Sequence, residues 1–298
     1  MKIPKYSILI TTYNTIETIR LSLESILSQI DDEFEVIVVD SYSTDGTLEY
    51  LKNLADRGKI RLITQKCTRG VGRQIALQHA RGRYVIARVD MDEIYNPIIK
   101  KLAEYYVRKS KELGEFVLYA GQVGGFYFST KRFMLSINGW KDLQWGENYE
   151  LNKRLMDADK LWVCRVNLPK YHIKPKRSRL ARSRELKISY STYRDALRMG
   201  LRFSVLIKGI NWTVPNQFAR IFRYPTLLWA WIFHWTKQGY STFKNVSWVE
   251  YYVDERFGDK INKFEKFYPQ KILPAPPGCS YPPKQTIYSE RKTRRLVA

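Results

Sequence analysis

The amino-acid sequence predicts an α/β fold, a mostly parallel sheet flanked by helices, with a basic helical extension behind it. Three observations predict it. Strand-type and helix-type apolar patterns alternate across residues 6–89, a polar side chain stands where the strand runs stop, and the positive charge gathers at the rear of the chain.

Taken in order, residues 6–10 form a β-type run that ends in Thr11, Thr12, Tyr13 and Asn14. Ile19, Leu23, Ile26, Leu27 and Ile30 then recur at helical spacing. Residues 34–39 read as a buried strand closed by Asp40, and Ser43, Thr44 and Asp45 offer caps for a helix through Leu48, Leu51 and Leu54. Residues 60–63 are a third strand, 72–80 a helix and 84–89 a fourth strand, closed by Asp90. Ligands of such sheets bind beyond the carboxyl ends of the strands, where Thr11, Tyr13, Asp40 and Asp90 all stand. One carboxylate after a strand is ordinarily a turn or a cap; several at successive strand ends favour a shared site. Farther on, 116–119 and 126–128 read as strands around a glycine turn (Gly121, Gly124, Gly125) and 147–156 as a helix. Residues 185–208 read as one helix with Arg194, Arg198 and Arg202 on a common face. The proline-rich 274–283 and the basic 291–295 read as an irregular tail.

The 298 residues carry 51 Lys and Arg against 29 Asp and Glu, a net charge of +22. The balance is only +3 through residue 160 and +19 beyond it, so the rear calls for an anionic partner: a membrane surface, a nucleic acid or a phosphorylated substrate. With 44% hydrophobic and 14% aromatic residues, wholesale disorder is excluded. Cys67, Cys164 and Cys279 are odd in number and far apart, which excludes a disulfide framework or a cysteine-based zinc site and suits a reducing, cytosolic setting. No signal peptide and no membrane-spanning run is expected.

Asp90-Met91-Asp92 is the sharpest local signal. Two carboxylates at i and i+2 after a strand can offer oxygens to a sugar hydroxyl and to a hard cation such as Mg²⁺ or Mn²⁺, which commonly bridges to substrate phosphates. Together with the run 7–14, the stretch Val38-Val39-Asp40-Ser41-Tyr42-Ser43-Thr44-Asp45-Gly46-Thr47, the helix start Gly70-Val71-Gly72-Arg73 and the approach 80–86, this set of motifs resembles the family 2 glycosyltransferases with the GT-A fold, over residues 6–175. The resemblance implies a catalytic domain over 1–175 (a nucleotide-sugar part, 1–95, and an acceptor part, 96–175) and an extension over 176–298. It implies a donor that is a nucleoside-diphosphate sugar, UDP- or GDP-linked, with Thr11, Tyr13, Asn14 and Asp40 holding base and ribose and Arg73 near the diphosphate. Asp90 would touch ribose or sugar and share with Asp92 and His172 the binding of Mn²⁺ or Mg²⁺. Gly124 and Gly125 would lie on the acceptor side, and transfer would invert the anomeric configuration.

One departure stands out. The family's Glu-Asp pair, whose Asp is the general base, is here Glu147-Asn148, and an amide takes no proton at neutral pH. Either Glu147 or Glu150 serves instead, Glu147 first because it is adjacent, or the acceptor is already an anion such as a lipid phosphate. Cations after Lys174, among them Lys176, Arg177 and Arg179, would then receive it; the other reading of that run is a solvated basic face. His79 and His234 read as structural. Residues 224–235, with Trp229, Trp231 and Trp235 beside Arg220, Arg223 and Lys237, are too short to span a bilayer and suit an interfacial anchor on the cytoplasmic leaflet, or else a buried or dimer-forming helix. The function expected is metal-dependent sugar transfer to a glycan or lipid-linked acceptor at an anionic membrane surface. A nucleotide-sugar-binding but degenerate transferase, a basic nucleic-acid-binding protein and a nucleotidyltransferase are the competing readings. Strand-end carboxylates would repel a nucleic acid, so none is expected as partner. Sugar, base and oligomeric state are left open.

Overall fold

The computed structural model describes residues 3–121, 125–173, 181–213, 217–243 and 271–279. The first half alternates as the apolar patterns predict: β1 (Tyr6–Thr12), α1 (Ile16–Leu27), β2 (Phe34–Asp40), α2 (Thr47–Asp56), β3 (Arg61–Thr64), α3 (Arg69–His79) and β4 (Tyr84–Val89). There follow β5 (Glu93–Tyr95), α4 (Ile99–Leu113), β6 (Val117–Gly121), β7 (Gly125–Thr130), α5 (Lys131–Ser136), α6 (Glu147–Asp157), β8 (Leu161–Cys164) and β9 (Pro169–His172). Behind these lie α7 (Ala181–Arg198), α8 (Phe203–Thr213), α9 (Gln217–Phe233) and β10 (Lys271–Leu273).

Eight strands form one sheet in the order β10-β8-β6-β7-β4-β1-β2-β3, while β5 and β9 make a separate antiparallel pair. Every neighbouring pair in the large sheet is parallel except the two that involve β7. The expected mostly parallel, helix-flanked sheet is therefore observed. One face packs on α1, α2 and α4 through Ile19, Leu23, Leu51, Ile99 and Leu102; the other packs on α3, α5 and α6 through Ile75, Leu77, Met134, Leu151 and Leu155. Each such buried aliphatic side chain contributes about 1.5–3 kcal/mol of transfer free energy. A third cluster, Tyr193, Leu197, Met199, Leu206, Ile210 and Leu227, ties α7, α8 and α9 together and takes in Leu143 from the loop before α6.

Three details differ from the sequence expectation. The helix expected over 185–208 is two helices, because Gly200 takes φ +98° and turns the chain between α7 and α8. Arg194, Arg198 and Arg202 do not share one helical face, because α7 ends at Arg198 and Arg202 lies in the turn before α8. Arg198 is wholly buried and reaches the backbone carbonyls of Asp142 (2.6 Å) and Gln238 (2.9 Å), whereas Arg202 is exposed. The rear is not helical throughout either: β10 returns to the sheet edge beside β8, with Leu273 and Cys279 buried in the first core cluster.

Candidate active site

Two loops at the carboxyl ends of β1 and β2 are laced into one cradle. Asn14 and Tyr42 both adopt left-handed backbone (φ +52° and +58°), turning each loop sharply after its strand. The Asn14 N–H donates to Ser43 Oγ (2.8 Å), and Asn14 Oδ1 accepts from the Thr44 N–H (2.8 Å). Asp40 is fully buried, and its two oxygens accept from the Ser43 N–H (2.8 Å) and hydroxyl (2.6 Å). Asp40 thus holds the second loop in shape from beneath. Tyr13 and Tyr42 stand out from the cradle, 60% and 55% exposed, as two rings free to meet a planar base.

The start of α3 enters the same end of the sheet. Thr68 caps it, accepting from the Val71 N–H (3.3 Å). The glycines are there for close approach: a Cβ on Gly70 would collide with the Lys141 carbonyl oxygen, and one on Gly72 would lie 2.8 Å from Thr11 Cγ2. That packing sets Arg73, 2% exposed, at the centre. Its Nη1 pairs with the Glu147 carboxylate and donates to Asn148 Oδ1 (2.7 Å), and its Nη2 lies 3.5 Å from Asp90 Oδ1. Asn148 Oδ1 also accepts from Trp140 Nε1 (3.1 Å).

The Asp90 backbone is clamped by Ser22 and by Tyr95, whose hydroxyl donates to the Asp90 carbonyl (2.7 Å) and accepts from its N–H (3.0 Å). The β5–β9 ladder sets His172 opposite Glu93, with the Ile173 N–H on the Asp92 carbonyl (2.6 Å), and so brings His172 Nε2 to 3.8 Å from Asp92 Oδ2. Asp90 and Asp92 side chains are about two-fifths exposed, at 42% and 41%. Burial and the neighbouring Asp90 charge push the Asp92 carboxyl up, with His172 pulling the other way. Glu93 beside them is buried; desolvation, then the Asp90 and Asp92 charges, raise it to about 8.

Among the described residues no three His, Cys, Asp or Glu side chains are grouped closely enough to hold a metal by themselves. The donor chemistry still fits a hard divalent ion. Asp92 and His172 offer oxygen and nitrogen on an accessible edge, the crowded carboxylates would be relieved by positive charge, and such ions habitually complete their shell with phosphate oxygens and water.

The remaining expectations divide. Glu150 is not brought to the site: it is fully buried, and its oxygens accept from Arg154 Nε and Nη2 (both 2.8 Å) and from the Thr242 hydroxyl (2.8 Å). Glu147 is present but engaged by Arg73. Gly125 opens β7 opposite Gly121, where a Cβ would press on the Ala120 carbonyl, so its glycine serves the close approach of β6 and β7. Gly124, Lys176, Arg177 and Arg179 lie outside the described residues. The rings of His79 and His234 each engage a carbonyl of their own helical turn, Ile75 (2.9 Å) and Trp231 (2.6 Å). Sequence reasoning did not single out Tyr42, Arg88, Glu93 or Trp140. Glu93 and Arg88 carry a readable signal, since each is a charge inside or beside an otherwise apolar strand run.

Residues 7–173 match the family described as Glycosyl transferase family 2. EpsE of Bacillus subtilis (strain 168) is 40% identical over 98 residues, 32% of this chain and 35% of that protein. UDP-Glc:alpha-D-GlcNAc-diphosphoundecaprenol beta-1,3-glucosyltransferase WfaP of Escherichia coli is 38% identical over 90 residues, 30% of this chain and 36% of that protein. The match thus spans little more than a third of these two curated relatives. A crystal structure of Staphylococcus aureus TarS 1–349 in complex with UDP-GlcNAc shares 17% identity, with a TM-score of 0.49 over 88% of this chain and 77% of that one.

Proposed function

The chain belongs to glycosyl transferase family 2, and from that premise we propose that it transfers a sugar from a nucleoside-diphosphate sugar to a lipid-linked acceptor, with a divalent metal. One observation carries the reading: the Tyr13–Tyr42 cradle, Arg73, and the Asp90, Asp92 and His172 group converge at the carboxyl ends of β1, β2 and β4. Tyr13 and Tyr42 flank the base, the loop that Asp40 organises meets base and ribose, and Asp90 meets ribose or sugar. Asp92 and His172 are the residues that hold Mn²⁺ or Mg²⁺. A bound ion supplies a Lewis acid that takes up the charge of the departing diphosphate.

In the transfer step an acceptor oxygen forms a bond to the anomeric carbon. The bond from that carbon to the β-phosphate oxygen breaks, and its electron pair leaves with the nucleoside diphosphate. Arg73 turns part of its charge to that diphosphate, which loosens its hold on Glu147; Glu147 then takes the proton of an acceptor hydroxyl. An acceptor that attacks through a phosphate oxygen has no proton to give, and Asn148 is then no handicap. Support for a lipid-linked acceptor comes from WfaP, a relative named for transfer to a diphosphoundecaprenol-linked sugar.

The rear helices suit such an acceptor. Among the described residues no helix is long and apolar enough to cross a membrane. Yet Leu228, Trp229, Trp231, Ile232 and Trp235 are 40–74% exposed around α9, while Leu227 and Ala230 face α7 and α8. Leu186 and Ile188 on α7 are exposed as well. With +19 charge in the rear of the chain, this face fits an anionic lipid surface. Co-sedimentation with phosphatidylglycerol vesicles but not phosphatidylcholine vesicles, lost in a Trp229→Ala/Trp235→Ala variant, is the expected result. No binding to the anionic vesicles, or a dimer that the same variant dissolves, would remove the membrane assignment.

The transferase reading is tested by thermal shift with UDP-, GDP- and TDP-sugars, with and without Mn²⁺. One donor should stabilise the protein with the metal present, by about 3 kcal/mol at a hundredfold excess over its Kd. No shift with any donor would overturn the reading. Metal-dependent binding with neither transfer nor donor hydrolysis would favour the degenerate transferase, which Asn148 and the engaged Glu147 and Glu150 motivate.

A further inference from the structure

Arg88 lies inside a buried strand and is used by nothing described above. In β4, Tyr84, Ile86 and Val89 face one core cluster, and Val85 and Ala87 face the other. Strict alternation would drive Arg88 into the apolar side of α1 and α4. The strand avoids this with a bulge. The register against β1 slips between Ile8↔Ile86 and Ile10↔Val89, and Arg88 takes φ +61°, left-handed backbone that costs an ordinary residue about 1–2 kcal/mol. The bulge turns Arg88 to the face of Ala87. Its guanidinium lies 4.9 Å from the ring centre of Tyr119 and 5.7 Å from that of Tyr127, on β6 and β7. Strain retained in this way, two residues before Asp90, points to a use for the charge.

No carboxylate pairs directly with this charge, although the Tyr119 hydroxyl lies against the guanidinium. Among the described residues Arg88 makes no ion pair, its Nε is sealed from solvent without an acceptor, and its electrostatic neighbours are the two tyrosines and, beyond them, Asp90 and Glu93. Arg88 as a whole residue is half-buried, and of its guanidinium nitrogens Nε is the one sealed without a partner. Arg73, the other central cation, is already held by Glu147, Asn148 and Asp90. A planar guanidinium stacked on aromatic rings, with donors to spare, is suited to forked binding of a phosphate.

We propose that Arg88 binds a phosphate group of the acceptor, on a floor made by Tyr119 and Tyr127. This deepens the reading of a lipid-linked acceptor and rests on it. The bulge then serves to lift a cation out of the core and set it beside the sugar-transfer centre, on the β6–β7 side and separate from the Arg73 position that serves the donor.

The test uses the full chain loaded with Mn²⁺ and whichever nucleoside diphosphate the thermal-shift panel selects, so that the donor's phosphate positions are filled. Inorganic pyrophosphate is titrated in by calorimetry. Arg88→Asn suits the left-handed backbone and so preserves the fold; Arg88→Lys keeps the charge without the fork. The expected result is pyrophosphate binding to wild type, at least about tenfold weaker in Arg88→Asn and intermediate in Arg88→Lys, with nucleotide affinity within twofold throughout. In transfer assays KM for a soluble prenyl-phosphate-linked acceptor should rise while KM for the donor stays put. Equal pyrophosphate binding in wild type and Arg88→Asn, or an equal loss of nucleotide affinity, overturns the assignment and leaves the transferase reading standing. No nucleotide binding by wild type overturns both.

Discussion

Asp195 offers a sharp energetic test of how the rear helices support the site. It is fully buried on α7, and its Oδ2 accepts from the backbone N–H groups of Gln144 (2.7 Å) and Trp145 (3.1 Å), just ahead of Glu147 and Asn148. Its Oδ1 pairs with Arg194 (3.0 Å) and with the wholly buried Arg198 (3.3 Å). Asp195→Ala leaves the Arg198 charge in the interior with two backbone carbonyls and, at 3.7 Å, the partly exposed Asp142 carboxylate, a longer and more solvated partner than the one removed. Breaking a buried pair from one side costs about 3–5 kcal/mol. The two loop N–H groups belong to half-buried residues and recover hydrogen bonds from water, so they add little. At about 2–4 °C per kcal/mol for a protein of this size class, Tm should fall by about 6–20 °C. Asp195→Asn keeps an acceptor for the loop and should lose less. Asp195→Leu combined with Arg198→Met removes both charges and should recover much of the loss, a coupling that a double-mutant cycle by thermal and urea unfolding reads directly. An Asp195→Ala protein within about 1 kcal/mol of wild type would refute the reasoning, because the buried pair would then be carrying no net energy.

Other outcomes follow from the same geometry. Asp92→Ala, or EDTA on wild type, should abolish metal-stimulated transfer while leaving the melting temperature of the donor-free protein nearly unchanged; full activity in either case removes Asp92 from metal binding. Gly70→Ala should destabilise by several kcal/mol because the Lys141 backbone cannot yield to the new methyl, and Gly72→Ala should cost less because Thr11 can shift, both measured by denaturant midpoint. For Glu93 the folded carboxyl is raised to about 8 from 4.5, so the stability tied to its acid form is full below pH 4.5 and is lost as pH rises through about 8. In EDTA, Glu93→Gln should match wild type near pH 4.5 and exceed it above pH 8 by on the order of 4–5 kcal/mol, and parallel pH profiles would contradict this.

Much of the front half was legible because local pattern and tertiary demand agree there. Strands β1, β2 and β4 are buried apolar runs, and the polar residues closing them lie at the sheet's carboxyl edge as expected. Helix α4 is equally legible, since Ile99, Leu102, Ala103 and Tyr106 repeat at i, i+3, i+4 and i+7. Strands β5, β9 and β10 were not: three or four residues with Glu, Lys, Pro and His among them carry no period. The fate of Glu147 and Glu150 was hidden for another reason. Whether a carboxylate is free depends on partners far along the chain, Arg73 for one and Thr242 for the other, and no spacing rule reports that. The bulge at Arg88 is a tertiary compromise between a charge and a core, visible only once both faces of the sheet are known.

Strand β10 has a consequence for how the molecule keeps to itself. It lies along the outer side of β8, where Tyr105 donates from its hydroxyl to the Pro274 carbonyl (2.7 Å) and Lys101 reaches the Pro277 carbonyl, fastening the end of the clip to α4. Without it, β8 would offer a ladder of unsatisfied amides to any passing strand. The prolines at 274, 276 and 277 follow directly on β10 and lack N–H groups, so the edge open to a ninth strand is only three residues long. Shortening the chain to residue 270 should therefore produce a protein that self-associates through its uncapped flank.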